Sequence, residues 1–128
     1  MKINLIAAVG KSGQIGLNGE LPWHDPEDLK WFQSVTAYGY LLAGHRTYES
    51  VRKKIHTLGR ILAEDHKNST ADSIRDHAAF CGAKSIFIIG GAKTYAKWMP
   101  HVDRFFISRV DYDGPADTFF PELNWRSL

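Results

Sequence analysis

The sequence predicts one α/β domain over residues 1–128, with a mostly parallel central sheet flanked by about four helices. Short apolar runs alternate along the chain with segments of helical character, which is typical of an α/β arrangement. The run at 86–89, with sequence IFII, is apolar at every position, as expected for a strand covered on both faces. A chain of 128 residues without repeats or linker-like stretches suits a single domain.

Five segments have the composition of strands, namely residues 3–9, 40–43, 61–63, 85–89 and 104–112. Within the last segment, residues 106, 108 and 110 alternate with residues 107, 109 and 111, which predicts one wetter face. Between the first strand and the first helix lies a glycine-rich loop at 10–24. A loop of that length in so small a domain is more often functional than idle.

The helices are predicted from their start and stop signals. Asp25 is suited to cap the first helix, and Pro26 suits its first turn. The inner face of that helix is expected to carry three apolar residues, Leu29, Phe32 and Val35. The other three helices are expected just after Gly44 through residue 51, over Ala71–Phe80, and from the Gly90-Gly91 pair to just before Pro100.

Composition and charge exclude several classes of protein. The 16 Lys and Arg against 14 Asp and Glu give a net charge of +2, which is not the basic excess of a dedicated nucleic-acid binder. The one cysteine, Cys81, excludes an intramolecular disulfide framework and fits a reducing compartment such as the cytoplasm, where it is expected to be a small core residue. No run is long enough to predict a membrane span, and the six histidines show neither HxxxH nor HxH spacing, so no metal site is predicted.

Asp28 is the carboxylate with the most suggestive surroundings. It falls in the first turn of the first helix, beside Leu29 and Trp31 and shortly after the apolar segment 21–23. A carboxylate among apolar and aromatic groups is able to hold a cationic or amidine-like heterocycle by a bidentate hydrogen bond, or to manage a proton. A carboxylate at the start of a helix more often serves only to complement the helix dipole, and local sequence alone favours that role for Asp28.

Two strands run directly into glycines at the start of a helix. The strand at 85–89 leads into GGAKT at 90–94, and the strand at 40–43 leads into GHRT at 44–47. Such turns present free amides and cationic or hydroxyl side chains, which is how phosphate sites are built, although tight turning alone is also a sufficient reason for glycine. Two such turns in one small chain favour a ligand with a diphosphate or several phosphates.

The chain resembles the dihydrofolate reductase family in eight short blocks that fall in the family's order. They are LIAA at 5–8, IG at 15–16, LPW at 21–23, PEDLKWF at 26–32, GHRTYES at 44–50, IIGGAKTY at 88–95, ISRV at 107–110 and ADTFFP at 116–121. Each block is weak alone, but together they cover nearly the whole chain and are highly specific. The resemblance implies a dihydrofolate reductase-like fold and NADPH-dependent reduction of 7,8-dihydrofolate to tetrahydrofolate, with antifolates as further ligands.

The same resemblance implies roles for individual residues. Asp28 would hold the pterin ring and promote its protonation, Trp23 would position the associated water, and Ser108 would support the acid. Tyr95 and Leu21 complete the implied catalytic set. The residues implied to contact dihydrofolate are Ile6, Ala7, Asp28, Leu29, Phe32, Ser50, Arg60 and Ile89, with Arg60 pairing with its glutamate carboxylate. Those implied to contact NADPH are Ala8, Ile15, Gly16, Asn18, Gly44, His45, Arg46, Thr47, Gly90, Gly91, Ala92, Lys93, Thr94, Tyr95 and Thr118, with residues 18–21 in a mobile lid.

The chain departs from the family's pattern in the cofactor site. His45 stands where the family usually has Arg, although Arg46 is adjacent. Where the family offers hydroxyls to the adenosine phosphate, this chain has Ala63-Glu64-Asp65, and two carboxylates repel a phosphate. Unless His66 and Lys67 take over, the preference for NADPH over NADH is expected to weaken.

A second departure concerns the C-terminal edge. The sequence stops at residues 125–128, so the chain is expected to be a short variant that lacks the family's last β-hairpin. The edge of the strand at 104–112 would then need a cover, and a homodimer or the residues after Pro121 are expected to supply it.

Two alternatives to a dihydrofolate reductase stay open at this point. One is a reductase of the same fold, such as the pyrimidine reductases of riboflavin synthesis, against which the LPW block and the acid Asp28 argue. The other is a folate- or nucleotide-binding protein without turnover, which the short C-terminus and the pair Glu64-Asp65 motivate.

Overall fold

The structure, a computed structural model, describes residues 1–54 and 58–121, and its elements alternate between strands and helices. The strands are β1 (Ile3–Val9), β2 (Gln14–Gly16), β3 (Gly39–Ala43), β4 (Ile61–Glu64), β5 (Ser85–Ile88), β6 (Arg104–Arg109) and β7 (Thr118–Phe119). The helices are α1 (Pro26–Val35), α2 (His45–Val51), α3 (Ala71–Phe80) and α4 (Ala92–Trp98), with a 3₁₀ turn at Met99–His101. No helix in the described ranges is long and apolar enough to cross a membrane.

Five of the strands form a parallel sheet in the order β4-β3-β5-β1-β6. The two remaining strands, β2 and β7, form a separate antiparallel pair at one end of it. The predicted α/β class with a mostly parallel sheet and four helices is confirmed. Because all five strands run the same way, their carboxyl ends meet at one edge, where ligands bind in such sheets.

The two faces of the sheet bury different helices, because successive residues of a strand point to opposite sides. One face carries Ile6, Leu41 and Phe87 and packs against apolar side chains of α1 and α2. The other carries Leu5, Leu42 and Ile88 and packs against α3 and α4. The run at 86–89 is buried at all four positions, so the expectation of a strand covered on both faces is confirmed.

The element boundaries differ from the predicted ones in a few places. The strand expected over 104–112 ends at residue 109, since Tyr112 and its neighbours instead contact the loop after β1. Sequence periodicity missed β2 and β7, which are three and two residues long. Leu29 was expected on the inner face of α1 but is 55% exposed, while Trp31 packs inward with Phe32 and Val35. Cys81 ends α3 as a half-buried free thiol and is not a fully buried core residue. The expectations about residues 125–128 and the segment after Pro121 lie outside the described residues.

Candidate active site

The carboxyl ends of β3 and β5 carry the two glycine turns that the sequence singled out. The N–H of Gly44 donates to the carbonyl oxygen of Gly90 at 2.8 Å, and a Cβ built on Gly91 would lie 3.7 Å from Oγ1 of Thr47. A Cβ on Gly44 would collide with Oγ1 of Thr94, and Gly90 has a φ of +116°, which disfavours a side chain. The turns are therefore adjacent and free of side chains where α2 and α4 begin, which fits the diphosphate of a dinucleotide.

Tyr95 ties the start of α4 to the central strand β1. Its hydroxyl donates to the carbonyl oxygen of Ile6 at 2.8 Å, and its ring lies 5.0 Å from the ring of Phe120 between centroids. Burial raises the pKa of the Tyr95 phenol, so the hydroxyl stays protonated and acts as a donor. A Cβ on Gly90 would come within 3.1 Å of the same hydroxyl, so glycine at this position leaves room for the Tyr95 side chain.

Asp28 and Trp23 carry buried polar atoms without partners. Among the described residues, neither Oδ1 of Asp28 nor Nε1 of Trp23 has a hydrogen-bonding partner. Leaving a buried donor or acceptor unpaired costs about 1–3 kcal/mol, so native proteins rarely do it outside functional sites. The indole ring of Trp23 is held against Tyr112, with centroids 5.4 Å apart. One acceptor and one donor are thus buried where the loop after β1 meets α1, and both fit a polar heterocycle or a water.

The start of α1 fixes the backbone that carries this acid. The Asp25 side chain caps the helix by accepting from the backbone N–H of Glu27 at 3.1 Å and of Asp28 at 3.2 Å. The Asp25 carboxylate is therefore occupied by backbone N–H groups, whereas Oδ1 of Asp28 has no partner among the described residues. Ser108, the predicted support of the acid, lies on the sheet face that α1 covers, two residues beyond Phe106 on β6, but it does not reach Oδ1 of Asp28.

Arg60 lies at the opposite end of α1 from Asp28. Its Nε donates to Oγ1 of Thr36 at 3.1 Å, and its guanidinium also donates to the carbonyl oxygen of Gln33. Thr36 is fully buried and its hydroxyl donates in turn to the carbonyl oxygen of Phe32 at 2.8 Å, so the anchor is itself fixed. Eight residues of helix separate the acid from this anchor, roughly 12 Å along the axis. That spacing fits an elongated ligand with an amidine-like ring at one end and a carboxylate at the other.

The loop between β1 and α1 is held at its first half by a second loop, at 110–120. The N–H of Asn18 donates to Oδ2 of Asp117 at 2.9 Å, and the N–H of Asp117 donates to the carbonyl oxygen of Gly16 at 3.0 Å. Hydrogen bonds from the Asn18 backbone and the Thr118 hydroxyl hold the pKa of Asp117 below its usual range. Leu21 follows this anchored part and is 53% exposed. The arrangement is that of a lid whose base is fixed and whose tip is open to a ligand.

A cluster of one histidine and two carboxylates lies at the carboxyl ends of β3 and β4. Nδ1 of His45 lies 3.4 Å from Oε2 of Glu64, and Glu49 offers an oxygen so that all three ligand atoms lie within 4.8 Å of one another. The spacing of the histidines predicted no metal site. This cluster contains only one histidine, and Glu64 joins the other two residues because β4 lies beside β3 in the sheet. Exposed groups of this kind are common without an ion, so the cluster itself assigns no metal.

Asp65, the next residue after Glu64, belongs to the protein's own framework. Its Oδ2 accepts from Nζ of Lys97 at 2.9 Å and from Nε1 of Trp98 at 3.1 Å, and the side chain is only 8% exposed. Lys97 also donates to the carbonyl oxygen of His66 at 2.9 Å. The two adjacent carboxylates therefore differ. The Asp65 side chain is almost fully buried, with Oδ2 bound by Lys97 and Trp98 and Oδ1 without a partner among the described residues, whereas the Glu64 side chain is 30% exposed beside His45.

The structure places the residues that the sequence singled out in different surroundings. Ile6, Ile89 and Phe32 share one apolar cluster on the α1 side of the sheet, while Ala7 lies in the cluster on the opposite face. The exposed members of the predicted set include Asn18, Leu29, His45, Arg46, Ser50 and Lys93. Sequence reasoning did not single out Thr36, Asp117 or Tyr112 as site residues. Of these only Asp117 had a signal, because it falls within the ADTFFP block.

Comparisons with a family model, with related sequences and with solved structures all indicate the same family. The family model described as dihydrofolate reductase matches residues 2–128. A dihydrofolate reductase of Buchnera aphidicola from Acyrthosiphon pisum is 35% identical, with 100% of this chain and 86% of the relative covered. The dihydrofolate reductase of Haemophilus influenzae is 30% identical, with 98% of this chain and 82% of the relative covered. Among solved structures, dihydrofolate reductase from Enterococcus faecalis complexed with NADP(H) and RAB-propyl is similar, with a TM-score of 0.76, 26% identity and coverage of 98% of this chain and 80% of that one.

Proposed function

The chain belongs to the dihydrofolate reductase family, and we propose that it reduces 7,8-dihydrofolate to 5,6,7,8-tetrahydrofolate with NADPH through the residues described above. The single observation that carries the residue assignment is that Oδ1 of Asp28 and Nε1 of Trp23 are both buried without a partner among the described residues. A reductase that leaves hydride transfer to its cofactor needs one placed acid and an ordered water, and these two atoms fit that need.

NADPH, when bound, supplies the hydride, so the protein's task is to hold two rings in contact and to exclude water. The adjacent turns at Gly44 and Gly90 fit the diphosphate, because their backbone is open and their helix starts favour negative charge. Ala8, Ile15 and the ring of Tyr95 are proposed to surround the nicotinamide, with Ala92, Lys93, Thr94 and Thr118 as further contacts of the cofactor. Tyr95 supports this placement because its hydroxyl is committed to the Ile6 carbonyl oxygen, so that only its apolar ring remains for contact with a ligand.

Asp28 is proposed to accept hydrogen bonds from the amidine-like N–H groups of the pterin. Its negative charge in a poorly solvated place raises the proton affinity of the ring, because opposite charges interact more strongly away from water. The N–H of Trp23 is proposed to hold the water through which that proton arrives. Ser108 is proposed to support the carboxylate from the neighbouring strand once the ligand is in place, and Leu21 to close over the ring with the lid.

The rest of dihydrofolate is proposed to lie along α1. Leu29 is an exposed apolar side chain on α1, and together with Phe32, Ile6 and Ile89 it fits an aromatic ring between the pterin and the tail. Arg60 is proposed to bind the glutamate carboxylate, because its anchor on Thr36 and Gln33 holds the guanidinium at the far end of the same helix.

Two finer proposals concern the setting of the enzyme. We infer a cytoplasmic location, supported by the one free thiol and by the cytosolic chemistry of the family's cofactor. We also propose that a second copy of the chain covers β6, which pairs only with β1 among the described strands and exposes Phe105. Sedimentation at increasing concentration tests this, since a strictly monomeric profile contradicts a homodimer.

Turnover of the purified protein tests the proposed function. NADPH oxidation that depends on added dihydrofolate, with tetrahydrofolate identified as the product, is the expected result. A ribosylated aminopyrimidine substrate of riboflavin synthesis serves as the matched alternative and is expected to give only background oxidation. Activity on the pyrimidine and not on dihydrofolate would move the assignment to the other reductase of this fold. Folate binding without oxidation would indicate a binding protein.

A further inference from the structure

The carboxyl end of β4 carries a charge that bears on which nicotinamide cofactor this chain accepts. Ala43 of β3 pairs in register with Glu64 of β4, so Glu64 lies directly beside the turn at Gly44. Its side chain is 30% exposed, and its Oε2 lies 3.4 Å from Nδ1 of His45, the first residue of α2. A carboxylate therefore stands next to the turn that fits the cofactor's diphosphate.

The strand order places the adenosine end of the cofactor at this carboxylate. The diphosphate turns follow β3 and β5, and the proposed nicotinamide contacts, Ala8 and Tyr95, lie on β1 and on the helix after β5. Since β1 lies beyond β5, the other half of a dinucleotide that crosses these turns has to extend over β3 toward β4. The first side chains it meets there are His45 and Glu64.

The neighbouring carboxylate does not compete for this role. Asp65 is almost fully buried, and its Oδ2 is bound by Lys97 and Trp98. The basic residues that follow Glu64 most closely, His66 and Lys67, are exposed and lie in the loop after β4 rather than on the strand. Glu64 is thus the carboxylate at the end of β4 that remains available to a ribose.

Resting on the proposed function, we propose that Glu64 accepts a hydrogen bond from the 2′-hydroxyl of the adenosine ribose and opposes a 2′-phosphate, so that NADH serves as a hydride donor alongside NADPH. A carboxylate is the group that recognises a free ribose hydroxyl in dinucleotide sites, whereas a cation is needed for a 2′-phosphate. The reaction is unchanged, because the same hydride leaves the same ring. Only the selectivity at the far end of the cofactor differs.

Calorimetric titration with fragments of the cofactor tests this without turnover. The probes are 5′-ADP and 2′,5′-ADP, titrated in the presence of EDTA so that no cation bridges His45, Glu49 and Glu64. The wild-type protein is expected to bind the two nucleotides within about threefold of each other. Glu64→Gln is expected to tighten 2′,5′-ADP roughly fivefold to tenfold, because the phosphate carries almost two charges, and to weaken 5′-ADP about twofold to threefold, because a neutral amide oxygen accepts a weaker hydrogen bond from the 2′-hydroxyl than a carboxylate does.

The matched control is Asp76→Asn, which removes one exposed carboxylate from α3 without touching this cluster. It is expected to change neither titration, and the NADPH-to-NADH ratio of kcat/KM is expected to rise in Glu64→Gln alone. A wild-type protein that binds 2′,5′-ADP a hundredfold more tightly than 5′-ADP, with no effect of Glu64→Gln, would overturn the inference while leaving the proposed function intact. Failure to bind either nucleotide would overturn both.

Discussion

The proposed pterin side and the proposed adenosine side of the site differ in their polar and charged groups. On the pterin side, Asp28 and Trp23 bury polar atoms that have no partner among the described residues. On the proposed adenosine side, Asp65 is held by Lys97 and Trp98 through Oδ2, although its Oδ1 is also buried without a partner among the described residues, and Glu64 carries the same sign of charge as a phosphate. An unpaired buried group gains most when a ligand supplies its partner. Asp65 is fixed by two hydrogen bonds through its other oxygen, whereas Nε1 of Trp23 and Oδ1 of Asp28 lie where a ring and a water are proposed to bind. We therefore expect the pterin side to control the chemical step and the adenosine side to control selectivity and stability.

Replacing the acid gives the largest expected effect. Asp28→Asn keeps the shape of the side chain but removes the charge, and kcat/KM for dihydrofolate is expected to fall about 10²–10⁴-fold, the range of a lost general acid–base group. Steady-state NADPH oxidation measures this. Asp25→Asn is the matched control, since Asn also caps a helix and Asp25 serves the backbone. Unchanged activity in Asp28→Asn would contradict the assigned mechanism.

Trp23→Phe is expected to have the next largest effect. The substitution keeps an aromatic ring against Tyr112 and removes the buried, unpartnered N–H, so kcat is expected to fall about tenfold, the equivalent of one lost hydrogen bond. Trp31→Phe, on the core side of α1, is the control and is expected to leave kcat within about twofold. Equal losses in both variants would mean that the N–H of Trp23 has no special part in the reaction.

A substitution on the adenosine side is expected to change stability more than turnover. Asp65→Asn replaces charge-assisted hydrogen bonds from Lys97 and Trp98 by neutral ones, which is expected to lower the free energy of unfolding by about 1 kcal/mol. Urea denaturation measures this, with kcat for dihydrofolate expected to stay near the wild-type value. Asp72→Asn, almost fully exposed on α3, is expected to change stability by less than about 0.5 kcal/mol. A large loss of kcat in Asp65→Asn would remove the distinction between the two sides.

The smallest expected effect concerns the lid and its pH dependence. Because hydrogen bonds lower the pKa of Asp117 in the folded protein, its contribution is present above the ordinary carboxyl range and is lost as pH falls through the lowered pKa. Protection of the Asn18 amide from hydrogen exchange is therefore expected at pH 7 and is expected to persist to the ordinary carboxyl pKa of about 3.9, with loss only in more acidic solution. Asp117→Asn is expected to reduce that protection severalfold at pH 7, whereas Asp111→Asn, whose carboxylate pairs with Lys11, is expected to leave it unchanged. Equal protection in all three proteins would show that the carboxylate does not hold the lid.

The same two regions show how far the sequence alone predicts this molecule. The helix that carries Asp28 was predicted well because its cap is local, with Asp25 and the following first turn adjacent in the chain. The pair of β2 and β7 was missed because each is very short and its partner lies about a hundred residues away. Leu29 was placed in the core because periodicity does not distinguish it from Trp31, which takes the inward position.

Contacts of the site depend still more on the tertiary structure. His45 lies close to Glu64 because β4 is adjacent to β3 in the sheet. The separation of the two residues along the chain does not predict this contact. The anchoring of Arg60 by Thr36 and Gln33 likewise joins the end of a helix to a distant strand. The family resemblance indicated the acid Asp28 and both glycine turns from the sequence alone. The contacts made by the residues around them became evident only in the structure.

We propose that the protein leaves Oδ1 of Asp28 and Nε1 of Trp23 unpaired because the ligand and a water complete them. A crystal structure of the chain with NADP⁺ and folate tests this most directly. We predict a pterin N–H within about 3 Å of Oδ1 of Asp28 and a water at the same distance from Nε1 of Trp23. A folate bound elsewhere, with both atoms still unpartnered, would contradict the account.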